Sequence, residues 1–581
     1  MTDLIARQRT RTAQKRWIDP PGLPAFSELL HHHPLLNQLL ALRGVRSASE
    51  AAGFLDHQPA ALPDPFRLTD MDLAVRRVTR AIVNAERITV FGDYDVDGIT
   101  SAAIMQIGLQ RVADDPSLIV TRLPTRAEGY GLNPVTIGEI AAAGATLLIA
   151  VDCASTDVIN VAYARSLGLD VVIVDHHHMT GDGPFGAITI SPAKPGCGIY
   201  REMSAAGLSL LLIAALESSD VLRKRGIIGA AQELVDLAAL GIVADVSSML
   251  GVNRRVVREG LRLMRGNPRT GIQALCELAS VDWRTLNTMN IGFNIAPRLN
   301  AAGRMRDPQQ ALDLLLTNDP ERARQIASEL EVLNFERRRE TEIIVNEVLD
   351  RQERDSSPID SLVLVECGSA WNTGILGLAA GKLAEQVGRP VILLSEQGGI
   401  ATGSSRSVEG FNIIEALHRR AVLLDRFGGH SKAAGLSLAA GNVDALRAGL
   451  NDDAGQSGIT LPVDQRIRLD ADIQIEDLTL DMARMIIGLS PFGIDNPEPV
   501  FRLRNVKILR CETMGKDGSH LRMVWRGPAG EIRAPFFGAA YRAEEIRPSQ
   551  PVDLACTLSI SHWNGPRADV KVQDFRTSSL V

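Results

Sequence analysis

Short apolar runs that end on acids set the pattern of this chain. "RITVFGDYD", "LIVTRLP", "ATLLIAVDC" and "DVVIVDHHH" are β-rich segments, and helical stretches such as "NPVTIGEIAAAG" and "TDVINVAYARSLG" lie among them. This is the βαβ rhythm of a parallel sheet with right-handed crossovers. In "ITVFGDYDVDGITS", Ile88, Val90 and Phe91 read as a strand core, and Gly98 followed by "ITSAAIMQIGLQ" reads as a turn entering an amphipathic helix. The region 204–345 reads as mostly helical, and "PERARQIASELEVLNFERRRETEIIVNEVLDRQERD" is long, charged and free of Gly, which suits an exposed helix linking two lobes. After "SSP" at 356–358 a second α/β pattern begins, with "SLVLVEC" and "RPVILLS" as strands and glycine-rich loops between them. From about residue 466 the texture changes to alternating strands broken by Gly, Asp and Pro, which predicts a small antiparallel barrel of the OB type, with a sandwich as the alternative.

The predicted organisation is an N-terminal segment 1–60, an α/β domain 61–315, a connecting helix 316–357, a second α/β domain 358–460 and a β-barrel 461–581. A length of 581 residues agrees with roughly three or four domains. With 45% hydrophobic and 23% charged residues, the composition supports ordinary cores and excludes global disorder. The net charge of −7 argues against a uniformly basic nucleic-acid coat but leaves room for a local basic groove. Six scattered cysteines without a CxxC give neither a disulfide framework nor a zinc knuckle, and fit a reducing cytoplasm. The basic N-terminus leads into Pro-rich sequence rather than an apolar core, so no secretory signal is read, and no apolar run approaches a membrane span. The expectation is a soluble cytoplasmic protein. "HHH" at 31–33 lacks nearby acids and reads as surface histidines.

The acids change the picture most. Asp93, Asp95 and Asp97 alternate at the tip of a predicted strand, Asp152 ends the next apolar segment, and Asp175, His176, His177 and His178 end another. Asp245 closes the apolar run "LAALGIVADV". Carboxylates this close repel and raise one another's pKa unless a cation neutralises them. A solvated turn with one aspartate as helix N-cap explains one of the three alternating acids and leaves the others unaccounted for. Asp and His without thiolates favour Mn²⁺ or Mg²⁺ over structural zinc. A pair of ions would use about this many ligands, with one carboxylate bridging.

Taken together, "GDYDVDGITS", "VDHH", "ALGIVADV", "IGFNIAPRLNAAGRM" and "FGGHSKAAGLSL" resemble the DHH phosphoesterase superfamily, and within it the single-strand-specific exonucleases. The resemblance implies an α/β fold with a DHH domain containing a parallel sheet, a long connecting helix, a DHHA1 domain and a C-terminal OB barrel. It implies a metal-dependent 5′→3′ exonuclease that degrades single-stranded DNA to 5′-mononucleotides in repair and recombination, with two Mn²⁺ or Mg²⁺ ions. By the same resemblance Asp93, Asp95, Asp97, Asp152, His176 and Asp245 form the metal set, with Asp152 bridging. Asp175, His176 and His177 are the signature, His177 being turned toward the scissile phosphate. His178 stays structural.

For the substrate, the resemblance points to Arg126 and Tyr130 in "LPTRAEGYGLN" and to Arg298, Asn300 and Arg304 in "APRLNAAGRM". In the second lobe it points to Ser404, Arg406 and Ser407 in "TGSSRS" and to Gly428, Gly429 and His430 in "FGGHSKAAG". Ser404, Arg406 and Arg126 would hold a terminal 5′-phosphate, and a cleft between the lobes would admit one strand. In the barrel, Phe501, Trp525, Phe536, Phe537 and Trp563 with many arginines suit stacking and phosphate contact, although most of these aromatics read as barrel core. Two departures stand out: Ala154 where the family has glycine, and Asn372 where it has histidine. The competing readings are another enzyme of the superfamily (a nanoRNase, cyclic-dinucleotide phosphodiesterase or pyrophosphatase) and a degenerate scaffold. The expected partners are single-stranded DNA, a single-strand-binding protein and a helicase, with the chain acting as a monomer away from membranes.

Overall fold

The computed structural model describes residues 15–22, 31, 33–56, 62–179, 181–354, 361–460, 462–463, 466–515, 518–528, 530–547, 550–561 and 565–578. His32, Thr180, the "SSP" segment and Trp563 lie outside them. The chain divides into two compact units, one comprising 58–338 with 491–497, the other 1–57, 339–490 and 498–581.

The first unit is built on five strands, β1 (Arg87–Phe91), β2 (Ile119–Arg122), β3 (Ala145–Val151), β4 (Asp170–Val174) and β5 (Ile188–Ile190). All pair in parallel in the order β2-β1-β3-β4-β5. Alternate residues feed two cores: Val90, Ile149 and Val172 pack on one face, Phe91, Leu148 and Ile173 on the other. Burial on both faces is why these runs are nearly all apolar. This strand order reverses between β1 and β3, and in open α/β sheets that switch point is where loops part and ligands bind.

The register does the rest. Phe91 is level with Ala150, and Ala150 with Ile173. Two residues beyond each lie Asp93, Asp152 and Asp175, so three neighbouring strand ends deliver three carboxylates side by side.

The helix Val96–Gln110 follows at once, but it is not amphipathic as expected. Residues 96–105 are all buried, because the helices Ala205–Leu216 and Ala230–Ala244 pack against it along with the sheet. Its Gly, Ala, Ser and Thr positions permit that close approach. Asp245 is the C-cap of the helix Ala230–Ala244, so this acid arrives on a helix end and not on a strand. The helical reading of 204–345 is borne out, and the charged segment is one helix, Pro320–Arg354.

In the second unit, β6 (Leu364–Gly368), β7 (Val391–Gln397), β8 (Ile400–Arg406), β9 (Arg426–His430) and β10 (Ala433–Ala439) form a sheet in the order β9-β10-β8-β7-β6. "TGSSRS" and "FGGH" therefore lie on paired antiparallel strands and not in loops. Two of the glycines serve pairing: a Cβ at Gly403 would sit 1.9 Å from the Leu393 carbonyl oxygen, and one at Gly429 2.3 Å from the Ala433 carbonyl oxygen.

The C-terminal sheet has seven strands, β11 (Ala471–Ile473), β12 (Phe501–Val506), β13 (Arg510–Met514), β14 (His520–Gly527), β15 (Gly530–Phe536), β16 (Val552–Ser561) and β17 (Arg567–Thr577), in the order β11-β12-β16-β17-β15-β14-β13. Most pairs are antiparallel, as predicted; β11–β12 and the single contact β15–β17 are parallel. Two features cross the boundaries read from sequence. The N-terminal strand Arg16–Ile18 pairs in parallel with Arg466–Arg468, and the Trp17 indole donates to Asp574 at 2.7 Å. Conversely, 491–497 belongs to the first unit, where the Ile494 carbonyl accepts from Met249 N at 2.8 Å and the Phe492 carbonyl from the Thr288 hydroxyl at 2.6 Å. No helix among the described residues is long and apolar enough to cross a membrane.

The helix ending at Asp245 is seated by glycine. At Gly260, in the helix Gly251–Gly266, a Cβ would lie 2.2 Å from the Ala239 Cβ and 2.7 Å from the Val235 carbonyl oxygen. Gly260→Ala should therefore destabilise by about 1–3 kcal/mol by overpacking, despite alanine's better helix propensity. Urea unfolding of the variant checks this; unchanged or raised stability would mean the two helices can part at no cost.

Candidate metal and phosphodiester site

Asp95 is the N-cap of the helix Val96–Gln110, its Oδ1 accepting from Asp97 N at 3.0 Å and Gly98 N at 3.1 Å. A Cβ on Gly98 would lie 2.6 Å from Asp93 backbone atoms, so the tight acidic turn requires glycine there. Asp97, in the helix's first turn, is buried. Its carboxylate accepts from the Ser204 hydroxyl (2.8 Å), Ala205 N (2.8 Å) and Ala206 N (3.0 Å), the amino end of the helix Ala205–Leu216. An anion there meets unpaired N–H groups and the positive end of the helix dipole. Ser204, Ala205 and Ala206 were not among the sequence candidates, although a serine before an apolar helical run is a recognisable N-cap signal.

Asp152 adopts φ 61° and Ala154 φ 78°. That left-handed conformation is the physical reason for a glycine at position 154, and this chain carries an alanine there. Asp175 accepts from Ser155 N at 3.1 Å and from His177 N at 3.1 Å, and bonds the His177 Nδ1 at 2.8 Å. The Tyr130 hydroxyl donates to the Asp152 carbonyl at 3.2 Å and lies 3.3 Å from the same His177 nitrogen. Asp175 is thus occupied in holding His177, which remains half-exposed. His176 stands among the acids at ion-pair distance: Nε2 is 3.4 Å from Asp152 and 3.9 Å from Asp97, and Nδ1 is 3.9 Å from Asp245.

Electrostatics divides these groups. Burial, then the neighbouring Asp95, pushes Asp93 up to about 8. Burial raises Asp97, Asp152 and Asp245 as well, reinforced by other carboxylates of the cluster. Asp175 goes the other way: burial works against its charge, but the His177 hydrogen bond and charge prevail and hold it at about 2. For His177, desolvation works against its charge, but the Asp175 hydrogen bond and charge prevail and raise it to about 9.

The donor set fits divalent cations. Asp93 Oδ1 and Asp152 Oδ1 are buried without a hydrogen-bond partner. Three groups have ligand atoms within 4.8 Å of one another: Asp93, Asp95 and Asp152; Asp97, His176 and Asp245; Asp152, His176 and His177. Asp152 and His176 each belong to two of them, and every predicted metal residue is included.

The predicted substrate residues are placed unequally. Arg126 donates from Nε to the Gly303 carbonyl at 3.0 Å and lies over the Tyr94 ring at 4.4 Å, beside the metal loop. Asn300 accepts from Val96 N at 3.2 Å, and a Cβ on Gly303 would lie 2.3 Å from the Tyr94 carbonyl oxygen, so the helix Ala296–Met305 braces that loop. Arg304 is on the same helix, partly exposed. Arg298, by contrast, is buried in an ion pair with Glu331 at 2.7 Å and a hydrogen bond to the Asn294 carbonyl, a structural engagement. In the second unit Arg406 donates to the Ser404 hydroxyl (3.1 Å) and the Ser405 carbonyl (2.7 Å), with no ion pair among the described residues, and burial lowers its pKa. Gly377 leaves it room: a Cβ there would be 2.8 Å from the Arg406 guanidinium and 3.0 Å from the Ser404 hydroxyl. The Ser407 hydroxyl is occupied by the Phe411 carbonyl at 2.7 Å. Gly428, Gly429 and His430 are exposed on β9, with open space at Gly428. Asn372 accepts from Gly374 N at 2.9 Å and donates weakly to Glu340 at 3.4 Å, a local turn of the second unit.

A parallel sheet with carboxylates and histidines at its switch point, followed by a second α/β domain, is the arrangement of a DHH phosphoesterase. Residues 87–242 match the DHH family, N-terminal domain, and residues 360–455 the DHHA1 domain. Residues 469–574 match the RecJ OB domain. The chain is 33% identical over 576 residues to the single-stranded-DNA-specific exonuclease RecJ of Dickeya dadantii, covering 94% of this chain and 95% of that one. It is likewise 33% identical over 555 residues to that of Bacillus subtilis, covering 94% and 68%. The crystal structure of RecJ in complex with Mn²⁺ from Thermus thermophilus superposes with a TM-score of 0.80 at 27% identity, covering 99% of this chain and 81% of that one. The chain belongs to the RecJ family. The resemblance read from the motifs and the mixed α/β fold with its OB-type domain are thereby borne out.

Asp93, Asp97, Asp152 and Asp245 keep protons in the folded chain where the unfolded chain, with carboxylates near about 4, has lost them. Metal-free protein should therefore lose stability as pH rises from about 4 toward about 8. His177 adds to the same slope from about 6.5 to about 9, because its raised folded pKa gives stability that disappears above that value. Metal binding must displace these protons, so Mn²⁺ affinity should rise at least about tenfold between pH 6 and pH 8. Calorimetric titration at both pH values checks it; equal affinities would mean that other groups bind the ion. Separately, Ala154→Gly should stabilise by about 0.5–1 kcal/mol, the left-handed strain of about 1–2 kcal/mol less the added freedom of the unfolded chain. Thermal unfolding measures this, and a loss of stability would show that the Ala154 methyl is needed for packing.

Proposed function

We propose that the chain degrades single-stranded DNA from its 5′ end to 5′-mononucleotides, in repair and recombination. The observation that carries this reading is the set of in-register carboxylates with buried oxygens that have no hydrogen-bond partner; the second unit separately holds an arginine that lacks an acidic partner among the described residues. Divalent ions held by Asp93, Asp95, Asp97, Asp152, His176 and Asp245, with Asp152 shared, would supply Lewis-acid stabilisation of the phosphoryl oxygens and an activated water.

The chain's own groups do the remainder. Asp175 fixes the His177 ring and favours its protonated form, so its half-exposed face can donate a hydrogen bond to a phosphate oxygen or a proton to the leaving oxygen. Tyr130 buttresses His177. Arg126, Asn300 and Arg304 flank the loop where the scissile phosphate would sit. Arg406 and Ser404 would grip the terminal phosphate, since a partly buried guanidinium with spare donors is built for a bidentate anion. Of the barrel aromatics among the described residues, Phe501, Trp525 and Phe536 are core, while Phe537 is 51% exposed beside His520 and Lys571. That exposed ring suits a strand-gripping role for the barrel. The matched OB domain separates this reading from the shorter phosphodiesterases of the superfamily. Six free cysteines suit the cytoplasm, where a monomer would meet single-strand-binding protein and a helicase.

The test compares 5′-phosphorylated and 5′-hydroxyl oligonucleotides with Mn²⁺ present. Unaltered protein should prefer the phosphorylated end, and Arg406→Ala should reduce that preference by about 2–5 kcal/mol. Digestion from 3′ ends, or of blunt duplex as fast as of single strands, would refute the reading; a preference untouched in Arg406→Ala would remove the phosphate pocket.

A further inference from the structure

The motif that braces the metal loop continues into a feature the reaction does not use. Thr288–Met305 is one helical run whose turn Ile291–Ile295 is a π-helix. Wide turns of this kind are rare and often mark functional sites. Along it, Phe293, Pro297, Asn300 and Arg304 recur every three to four residues and are at least partly open, while Ile295, Ala296, Arg298, Leu299, Ala301 and Ala302 are buried. Phe293 is 72% exposed, and Met289, one turn earlier, 53%. A lone exposed apolar residue needs no explanation. Here the ring shares an open face with Asn300, whose side chain accepts from Val96 N between Asp95 and Asp97, and with Arg304. Seven residues separate Phe293 from Asn300, a rise of about 10 Å, which is about three stacked nucleotides at about 3.4 Å each.

Resting on the proposed function, we infer that Phe293, supported by Met289, is a base-stacking platform for the single strand about three nucleotides from the scissile phosphate. A ring that offers only its face recognises any base, as an enzyme that degrades a strand regardless of sequence requires. The platform touches the substrate and takes no part in bond cleavage, so it governs the hold on the strand and leaves the chemical step alone.

The experiment is steady-state digestion by the full-length protein with Mn²⁺, using 5′-phosphorylated strands of three and fifteen nucleotides. Phe293→Ala should raise KM for the longer strand by about fivefold to about a hundredfold, the effect of losing one base–aromatic stack. The trinucleotide should be digested as before, and Phe293→Trp should restore the longer strand. A single abasic residue moved along the longer strand should weaken unaltered protein at one register and add nothing to Phe293→Ala. An unchanged KM, or an equal loss on both lengths, would overturn the platform while leaving the exonuclease reading intact. Failure of unaltered protein to digest any single strand would remove both.

Discussion

Everything in the first unit is arranged around mutual repulsion among buried carboxylates. Two unit charges 4 Å apart repel by about 4 kcal/mol at the effective dielectric of a protein surface, and Asp93, Asp97, Asp152 and Asp245 sit closer to a core than to water. Folding alone would not select this. Burial first, and the neighbouring carboxylates after it, raise these pKa values, so the metal-free chain relieves the conflict by holding protons. A cation relieves it better, and the unpartnered oxygens of Asp93 and Asp152 are where that relief is missing.

A cluster so strained must be held by parts that cannot yield. The strand register fixes Asp93, Asp152 and Asp175 relative to one another through the backbone. A helix amino end clamps Asp97 with three donors. At Gly241 a Cβ would lie 2.7 Å from Asp97 Oδ1, so the helix carrying Asp245 can approach only because that position is bare. Rigidity and closeness come from the same small residues. The positive φ at Asp152, Ala154 and Val246 shows further strain stored around the acidic cluster, as is common where function overrides backbone preference.

How legible this was follows from the kind of signal each part leaves. Strand tips were readable because a parallel strand buried on both faces is an unbroken apolar run, and the acid that ends it stands out. The role of Asp245 was readable only through the motif, since an apolar run ending on an acid looks alike on a strand and on a helix. Burial of the helix Val96–Gln110 was missed because its Ser and Thr positions look polar, yet Thr100 turns its hydroxyl back onto the Val96 carbonyl at 2.7 Å. The clamp at Ser204–Ala206 joins residues about a hundred positions from Asp97 in sequence, and no local pattern announces such a partner. Likewise 491–497 carries the texture of its C-terminal neighbours but its hydrogen bonds go to Met249 and Thr288. Arg298 shows the converse error: an arginine in a small-residue motif reads as a phosphate ligand until Glu331 is found opposite it.

The balance of charge bears on why the acids and Arg406, which has no ion pair among the described residues, occupy separate domains. A DNA strand is a polyanion, and an acidic cluster with its protons gone would repel it, so the site cannot both bind substrate and stand ionised without cations. Divalent ions held by these acids would reverse the sign of the field at the sheet's edge as well as serving the chemistry. Arg406 needs no such switch. Burial disfavours its charge, and among the described residues no carboxylate answers it. Had the chain placed that arginine beside Asp152, the two would have neutralised each other and neither a metal nor a phosphate would be called for. Keeping them in different sheets leaves both charges available, and a net charge of −7 for the whole chain does not reveal that the acids cluster in one sheet and this arginine lies in another.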